Sequence, residues 1–287
     1  MNKFIPALAS LVSFIGTLAW FRSEYEKETL TVVRYKIPTK KISSNKCFVF
    51  LSDMHEHEFG AENNILIKAI DKIKPDAILI GGDLVTVKNK SSLSKSKFLC
   101  EKLAKKYKVF YANGNHEERL RDNDFKYKKI YKKYIDFLKD NGIVYLSDKS
   151  AMFDENIRIT GLDIARKFYK KGKCEDMPIS YIKSRIGESD KKYFEILLAH
   201  SPLYGKSYAK WGSDISLSGH FHGGTVRIPF INTGLMTPQF QLFNRHVVGL
   251  ERYGKSYHII SSGLGTHSIN IRLNNKPQLV VLDIVKE

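Results

Sequence analysis

The sequence predicts an α/β fold: two packed, mixed β-sheets flanked by helices, an α/β/β/α sandwich, preceded by an N-terminal hydrophobic helix. Three observations carry that prediction. Short apolar runs at residues 48–51, 77–80 and 109–112 each lead through a polar loop into a helix-like segment, the layout that sets a parallel sheet among helices. The second half holds five more strand-like runs, at 157–160, 194–199, 215–217, 257–260 and 279–282, with fewer helices between them. That is enough for a second sheet packed on the first. No linker signal and no fixed-period repeat interrupts the chain, so residues 29–287 read as one domain.

Taken in order, residues 4–21 form an uncharged, mostly apolar run bounded by Lys3 and Arg22. Its length lies within the ~17–25 residues that can span a bilayer. A cleaved secretory signal is the competing reading, with Thr17-Leu18-Ala19 as a small-x-small cleavage site. A buried helix would ordinarily carry a polar face. The expectation is an uncleaved transmembrane anchor within residues 1–28 that holds the chain at the cell membrane. The extracytoplasmic side is favoured for the rest, although Lys3 on one flank and Arg22 and Lys27 on the other nearly cancel.

Residues 30–37 are rich in β-branched side chains and alternate in part, as a strand should. Phe48-Val49-Phe50-Leu51 has the continuous apolar character of a buried strand and ends at Ser52-Asp53-Met54-His55. Ile65, Ile67, Ala69, Ile70 and Ile73 recur at helical spacing, and Pro75 stops that helix. Ala77-Ile78-Leu79-Ile80 runs into Gly81-Gly82-Asp83. A Lys/Ser-rich loop leads to a helix near 94–105. Val109-Phe110-Tyr111-Ala112 ends at Asn113-Gly114-Asn115-His116-Glu117, and another helix covers about 127–139.

Composition sets outer bounds. At 43% hydrophobic the 287 residues can bury a sizeable core, and no low-complexity tract points to disorder. Cys47, Cys100 and Cys174 lack metal-type spacing and, being odd in number, supply no disulfide framework; they read as free thiols. A net charge of +17 invites an anionic partner: a lipid surface, a nucleic acid or a phosphorylated substrate. The lysines are dispersed, so a generally basic surface explains the charge as well as a dedicated patch does.

The chemistry lies at the strand ends. Asp53 and His55, Asp83, Asn115 and His116, His200, and then His220 and His222 each follow a β-type run. Ordinary strand ends carry turn residues of mixed type. Imidazole is the commonest metal ligand, and a mixed oxygen and nitrogen set without thiolates suits Mn, Fe, Zn, Ni, Co or Mg. There are too many ligands for one ion of about four to six coordination. Two divalent ions sharing a carboxylate use them all, and such pairs clamp both oxygens of a phosphoryl displacement.

Asp-x-His, Gly-Asp, Gly-Asn-His-Glu, a lone His and Gly-His-x-His, in that order, resemble the calcineurin-like metallophosphoesterase superfamily. The resemblance covers about residues 45–285. Phe59-Gly60, the run from Gly224 into Val226-Arg227-Ile228-Pro229-Phe230, and Ser262-Gly263-Leu264-Gly265-Thr266 are similar to membrane-associated bacterial phosphohydrolases of the YkuE/YaeI type. Some relatives of that group hydrolyse UDP-2,3-diacylglucosamine. The resemblance implies a first metal on Asp53, His55 and His222, a second on Asn115, His200 and His220, and Asp83 bridging both. A metal-bridging hydroxide would attack phosphorus. His116 would donate a proton to the leaving oxygen or stabilise developing charge. One departure concerns His116: many relatives carry an Asp three residues after the bridging one, where this chain has Thr86. His116 is then held by Glu117 or a backbone carbonyl, or acts as a neutral donor.

Other residues carry weaker signals. His57 and Arg227 are candidate substrate contacts, as is Arg272; each is equally a surface residue. Asp163 caps a turn or lines the site. His246, His258 and His267 read as strand and loop residues without a role. Phe240, Leu242 and Phe243 are core residues or an apolar lip beside a lipid surface. The expectation is a two-metal phosphoesterase acting on a phosphomonoester, phosphodiester or pyrophosphate, on a lipid-linked or nucleotide-linked substrate at the membrane. The alternatives are a metal-binding scaffold without turnover and a nuclease, although no nucleic-acid-binding motif is present.

Overall fold

From residue 31 onward the chain alternates strands and helices as its hydrophobic pattern demands. The computed structural model describes residues 4–87, 93–172, 174–231, 233–266 and 269–287, with side chains from Leu8. Lys3, His267 and part of the Lys/Ser-rich loop lie outside the described residues. The elements are α1 (Phe4–Glu28), β1 (Thr31–Thr39), β2 (Lys46–Leu51), α2 (Asn64–Ile73), β3 (Ala77–Ile80), α3 (Ser94–Ala104), β4 (Lys108–Ala112), α4 (Asn115–Asp122), α5 (Phe125–Asp140), β5 (Val144–Leu146), β6 (Lys149–Met152) and β7 (Ile157–Leu162). They continue as α6 (Ile179–Ile186), β8 (Phe194–Ala199), α7 (Gly205–Trp211), β9 (Ile215–Ser218), β10 (Arg227–Ile228), β11 (Thr233–Met236), β12 (Leu242–Asn244), β13 (Gly249–Tyr253), β14 (Ser256–Ile260) and β15 (Gln278–Lys286).

Two six-stranded mixed sheets form, in the orders β1-β15-β2-β3-β4-β5 and β13-β14-β9-β8-β7-β6. In the first, β2 to β5 are parallel and β15 runs antiparallel to β2. In the second, β14, β9, β8 and β7 are parallel. A small antiparallel sheet, β10-β11-β12, stands apart.

Period-two alternation divides each central strand between two interiors. Phe48 and Phe50 of β2 point into the layer between the sheets, with Ile159, Ile196 and Leu217 of the second sheet. Val49 and Leu51 point outward, under Leu66, Ile70 and Leu99 of α2 and α3. On the far face Leu197 and Ala199 lie under Ile182, Tyr208 and Trp211 of α6 and α7. Burying each such side chain contributes about 1.5–3 kcal/mol. The result is the α/β/β/α sandwich.

Register positions the site. Leu51, Ile80 and Tyr111 stand side by side on β2, β3 and β4, so Asp53, Asp83 and Asn115 leave the first sheet at one edge. In the second sheet Leu198 pairs with Leu217, and His200 and His220 leave at the corresponding edge.

The structure does not bear out the expectation of a membrane-spanning helix. Among the described residues no helix is long and apolar enough to cross a membrane. The last turns of α1 are polar and fastened to the domain. Ser23 Oγ accepts from the Arg272 amide at 3.0 Å, and the buried Glu26 accepts from the Asn275 amide at 2.8 Å. The earlier turns expose Leu11, Phe14, Leu18 and Phe21 to solvent.

Candidate metal centre and active site

The polar residues at the strand ends sit on strained backbone. Asp53 (φ 53°), His55 (50°), Asp83 (54°), His220 (65°) and His222 (49°) all occupy the left-handed region, although none is glycine. Such residues cost about 1–3 kcal/mol each and persist only where the surroundings over-determine them. Here the loops are stitched together: the Asp53 amide donates to Gly82 O at 3.1 Å and the His55 amide to Asp83 O at 3.0 Å. The glycines of the motifs permit this approach. A Cβ on Gly82 (φ 90°) would stand 2.1 Å from the Gly114 nitrogen, and one on Gly114 would stand 2.2 Å from Asp83 Oδ1.

Eight side chains from both sheets converge. Asp53, His55 and His222 form one group able to hold a cation; Asp83, His200 and His220 form another; His55 and Asp83 also meet His116. His55 Nε2 and His222 Nε2 are 3.2 Å apart. Asp83 Oδ2 lies 3.1 Å from His200 Nε2 and 3.8 Å from His55 Nε2. Both oxygens of Asp53 accept from the His220 amide, and Oδ1 lies 3.5 Å from His222 Nε2.

Backbone carbonyls set the tautomers. His200 Nδ1 donates to Gly81 O at 2.8 Å and His222 Nδ1 to Gly265 O at 3.1 Å, so both present Nε2 to the centre. The residues fit a metal pair. Asn115 Oδ1 is buried without a hydrogen-bond partner among the described residues, a cost of about 1–3 kcal/mol that a cation removes. Without a cation the charges balance by protonation. Burial lowers the His200 pKa, but Asp83 and Asp53 outweigh it and push it to about 10. His222 goes the other way, since burial holds it below the usual imidazole value.

Sequence reasoning did not foresee the anchoring of His116. Residues 115–117 open α4, so Asp83 Oδ1 accepts from the His116 amide at 2.8 Å. The Val87 amide donates to His116 Nδ1 at 3.0 Å. Glu117 does not hold the ring. Its carboxylate accepts from the Asp83 amide, the Gly114 amide and the Tyr111 hydroxyl, at 2.9, 2.9 and 2.6 Å. Burial, reinforced by Asp83, pushes its pKa up to about 7.

Two proposed substrate contacts are not brought to the centre. Arg227 lies in a separate cleft near Glu26 and Gln278, and His57 lies 3.9 Å from Glu28 and edge-on to Phe59. Arg227 leaves with β10, and His57, on the loop after β2, turns toward the end of α1, so neither lines the cleft over Asp83 and His116. Arg272 is neither a surface residue nor a substrate contact. It is 1% exposed and donates to the carbonyls of Ser262, Gly263, Gly265 and Asn275. Asp163 is fully buried and accepts from Arg121, Ser147 and Asn113 behind α4. His258 is buried against Ser216, and His246 pairs with Glu251 at the surface.

The cleft over the metal residues, about 290 Å³, also carries Arg119, Tyr169, Lys171, Gln239, Phe240 and Ile269. None of the first four was legible in the sequence. They have no motif, and they reach the site only because the turn at Arg166–Tyr169 folds over α4, with the Tyr169 ring edge-on to His220 at 4.9 Å.

The chain is similar to known phosphoesterases. Residues 48–224 match the profile of the family described as "Calcineurin-like phosphoesterase". The chain is 25% identical to "Phosphodiesterase YaeI" of Escherichia coli over 83% of its length and 81% of that protein's. It is 27% identical to a metallophosphoesterase of Aquifex aeolicus, over 94% of this chain and 98% of that one. The metallophosphoesterase YkuE of Bacillus subtilis is 27% identical over 32% of each chain.

Proposed function

The chain belongs to the calcineurin-like phosphoesterase family and is a metal-dependent phosphohydrolase, and we propose that it cleaves a phosphodiester or pyrophosphate bond in a lipid-linked substrate at a membrane surface. The observation that carries the chemistry is the shared carboxylate. Asp83 Oδ2 faces His200 from one ligand group and His55 from the other. Asp53, His55 and His222 would hold one divalent ion, Asn115, His200 and His220 a second, and Asp83 both. When bound, the ions supply positive charge at the phosphoryl oxygens and acidify a water.

The protein's own residues do the rest. Asp53 and Asp83 are fixed by backbone amides, so the ligands need little rearrangement. His116 accepts from Val87 at Nδ1 and therefore carries its proton on Nε2. A neutral imidazole of that tautomer donates a hydrogen bond to an oxygen on which charge develops. It has no spare proton to transfer, so charge stabilisation is the role its geometry favours. Arg119 and Lys171 on the cleft wall would hold the phosphate's remaining charge.

The lipid-linked reading rests on the apolar rim. Phe240, Leu242, Phe243, Ile269 and Ile271 are exposed around the cleft and β12, and α1 exposes its apolar turns. The exposure of Phe240, Leu242 and Phe243 supports the lip reading over core packing. A rim of this kind beside a chain of +17 suits an anionic lipid surface. The phosphodiesterase name of the Escherichia coli relative supports a diester.

The test is hydrolysis of bis-p-nitrophenyl phosphate and p-nitrophenyl phosphate by the full chain, chelated and then resupplied with Mn²⁺. Cleavage should require metal and vanish in Asp83→Ala. Undiminished turnover after complete chelation would overturn the mechanism. Co-sedimentation with anionic but not neutral vesicles tests the membrane surface.

A further inference from the structure

We infer that the cavity on the far side of Asn115 from the metal ligands is a second anion subsite, which receives a phosphate or carboxylate of the substrate other than the phosphate cleaved. This inference rests on the phosphohydrolase reading and adds the substrate class: a phosphate ester bearing another anionic group.

The cavity is about 430 Å³ and adjoins the cleft, since Asn115, Arg119, Tyr169 and Lys171 line both. The cavity therefore lies within a side chain's breadth of the groups around Asp83 and His116. Its other walls carry Arg166, Lys167 and Lys170. Five cations thus face one concavity, from α4 on one side and from the β7–α6 connection on the other.

Their charge is poorly compensated. Among the described residues no carboxylate pairs with Arg119, Arg166 or Lys171, and Lys167 and Lys170 meet only Glu175, at 3.9 and 3.7 Å. The two acids on the wall are engaged elsewhere: Glu118 and Asp122 both pair with Arg121, at 3.0 and 2.9 Å. Burial also pushes the Glu118 carboxyl up to about 8, which reduces its negative charge near neutral pH. Like charges gathered on concave walls focus field lines, and Arg presents a planar fork suited to phosphate.

A dispersed basic surface would not hold its cations on fixed backbone, as these are held. Gln239 Nε2 donates to Phe168 O and Lys170 O, at 3.1 and 3.2 Å, and its own carbonyl accepts from the Gly172 amide. The Tyr204 hydroxyl donates to Phe168 O at 2.8 Å, and the Phe168 ring is buried below. Gln239 also lines the metal cleft, so one side chain ties the two compartments together. Lys171 packs 4.3 Å over the Phe240 ring at their junction.

The test is calorimetric binding of fructose 1,6-bisphosphate and fructose 6-phosphate to the full, Mn²⁺-loaded chain, with hydrolysis of bis-p-nitrophenyl phosphate measured in parallel. The bisphosphate should bind about tenfold more tightly, as one charge-assisted anion contact warrants. Arg166→Gln with Lys167→Gln, both at exposed positions, should abolish that preference while the monophosphate affinity shifts less than twofold. Equal affinities in the unmodified chain, or a preference that survives the double substitution, overturn the subsite. A preference in a chain that hydrolyses nothing keeps the subsite and removes the hydrolase reading beneath it.

Discussion

The Val87 amide points at His116 Nδ1, 3.0 Å away. A backbone N–H can only donate, so the ring must accept there and keep its proton on Nε2. Under the proposed function, this favours a hydrogen-bond donor role for His116 over proton transfer.

His116→Ala should therefore lower kcat about 10²–10³-fold, the usual loss for one donor at a developing oxyanion. The loss should be similar for p-nitrophenol and for an alkyl alcohol as leaving group. A much greater loss with the alcohol would show that His116 transfers a proton, and the neutral-donor assignment would fall.

Metal uptake should depend on pH. The metal-free chain holds a proton on His200, raised to about 10, and Glu117 is raised to about 7. The folded state then binds more protons than the unfolded one. The stability these groups contribute is complete below about 4.5 for Glu117 and about 6.5 for His200, and is lost as pH rises through 7 and 10 respectively. A cation must displace the His200 proton, so affinity rises with pH, by about tenfold per unit for one proton. Thermal melts with and without Mn²⁺ should show a larger stabilisation at pH 8.5 than at pH 6. Equal shifts at both would contradict the proton displacement.

Glu117 is a positioning residue for Asp83. Glu117→Ala strands the Asp83 and Gly114 amides and the Tyr111 hydroxyl, and should cost about 2–4 kcal/mol in denaturant unfolding. Glu117→Gln keeps an acceptor for the two amides and should cost about 1 kcal/mol. It should also flatten the fall in metal-free stability between pH 4.5 and 7. If Ala and Gln prove equally mild, the three hydrogen bonds are not made.

Arg272 joins the end of α1 to a metal ligand. Its amide donates to Ser23, its guanidinium to Gly265 O, and Gly265 O accepts from His222. Burial lowers its pKa to about 10, so it stays charged at neutral pH. Arg272→Ala should cost about 3 kcal/mol or more, because four buried carbonyls each lose a donor and a buried cationic side chain leaves its place. Mn²⁺ affinity should fall about 10–100-fold, the usual loss when a ligand's outer partner is disturbed. Destabilisation with unchanged metal affinity would separate Arg272 from His222.

By itself the sequence determined the layers of the fold and pointed to the eight strand-end residues of the candidate centre. Apolar runs too short for helices, each ended by Asp, Asn or His, specify both strand and strand end, because that information is local: two-residue periodicity along a strand and glycine where backbones nearly touch. Only the tertiary structure decided what surrounds them. Asp53 and His220 are joined across 167 positions by packing of one sheet on the other, and no spacing in the chain encodes that contact. The same packing buried Arg272, carried His57 and Arg227 away from the cleft, turned Val87 toward His116, and set the lysines and arginines of residues 166–171 beside Arg119. A charged side chain looks alike in sequence whether it meets water, a carbonyl or a substrate, because its partner lies on a distant segment and only the packed fold brings the two together.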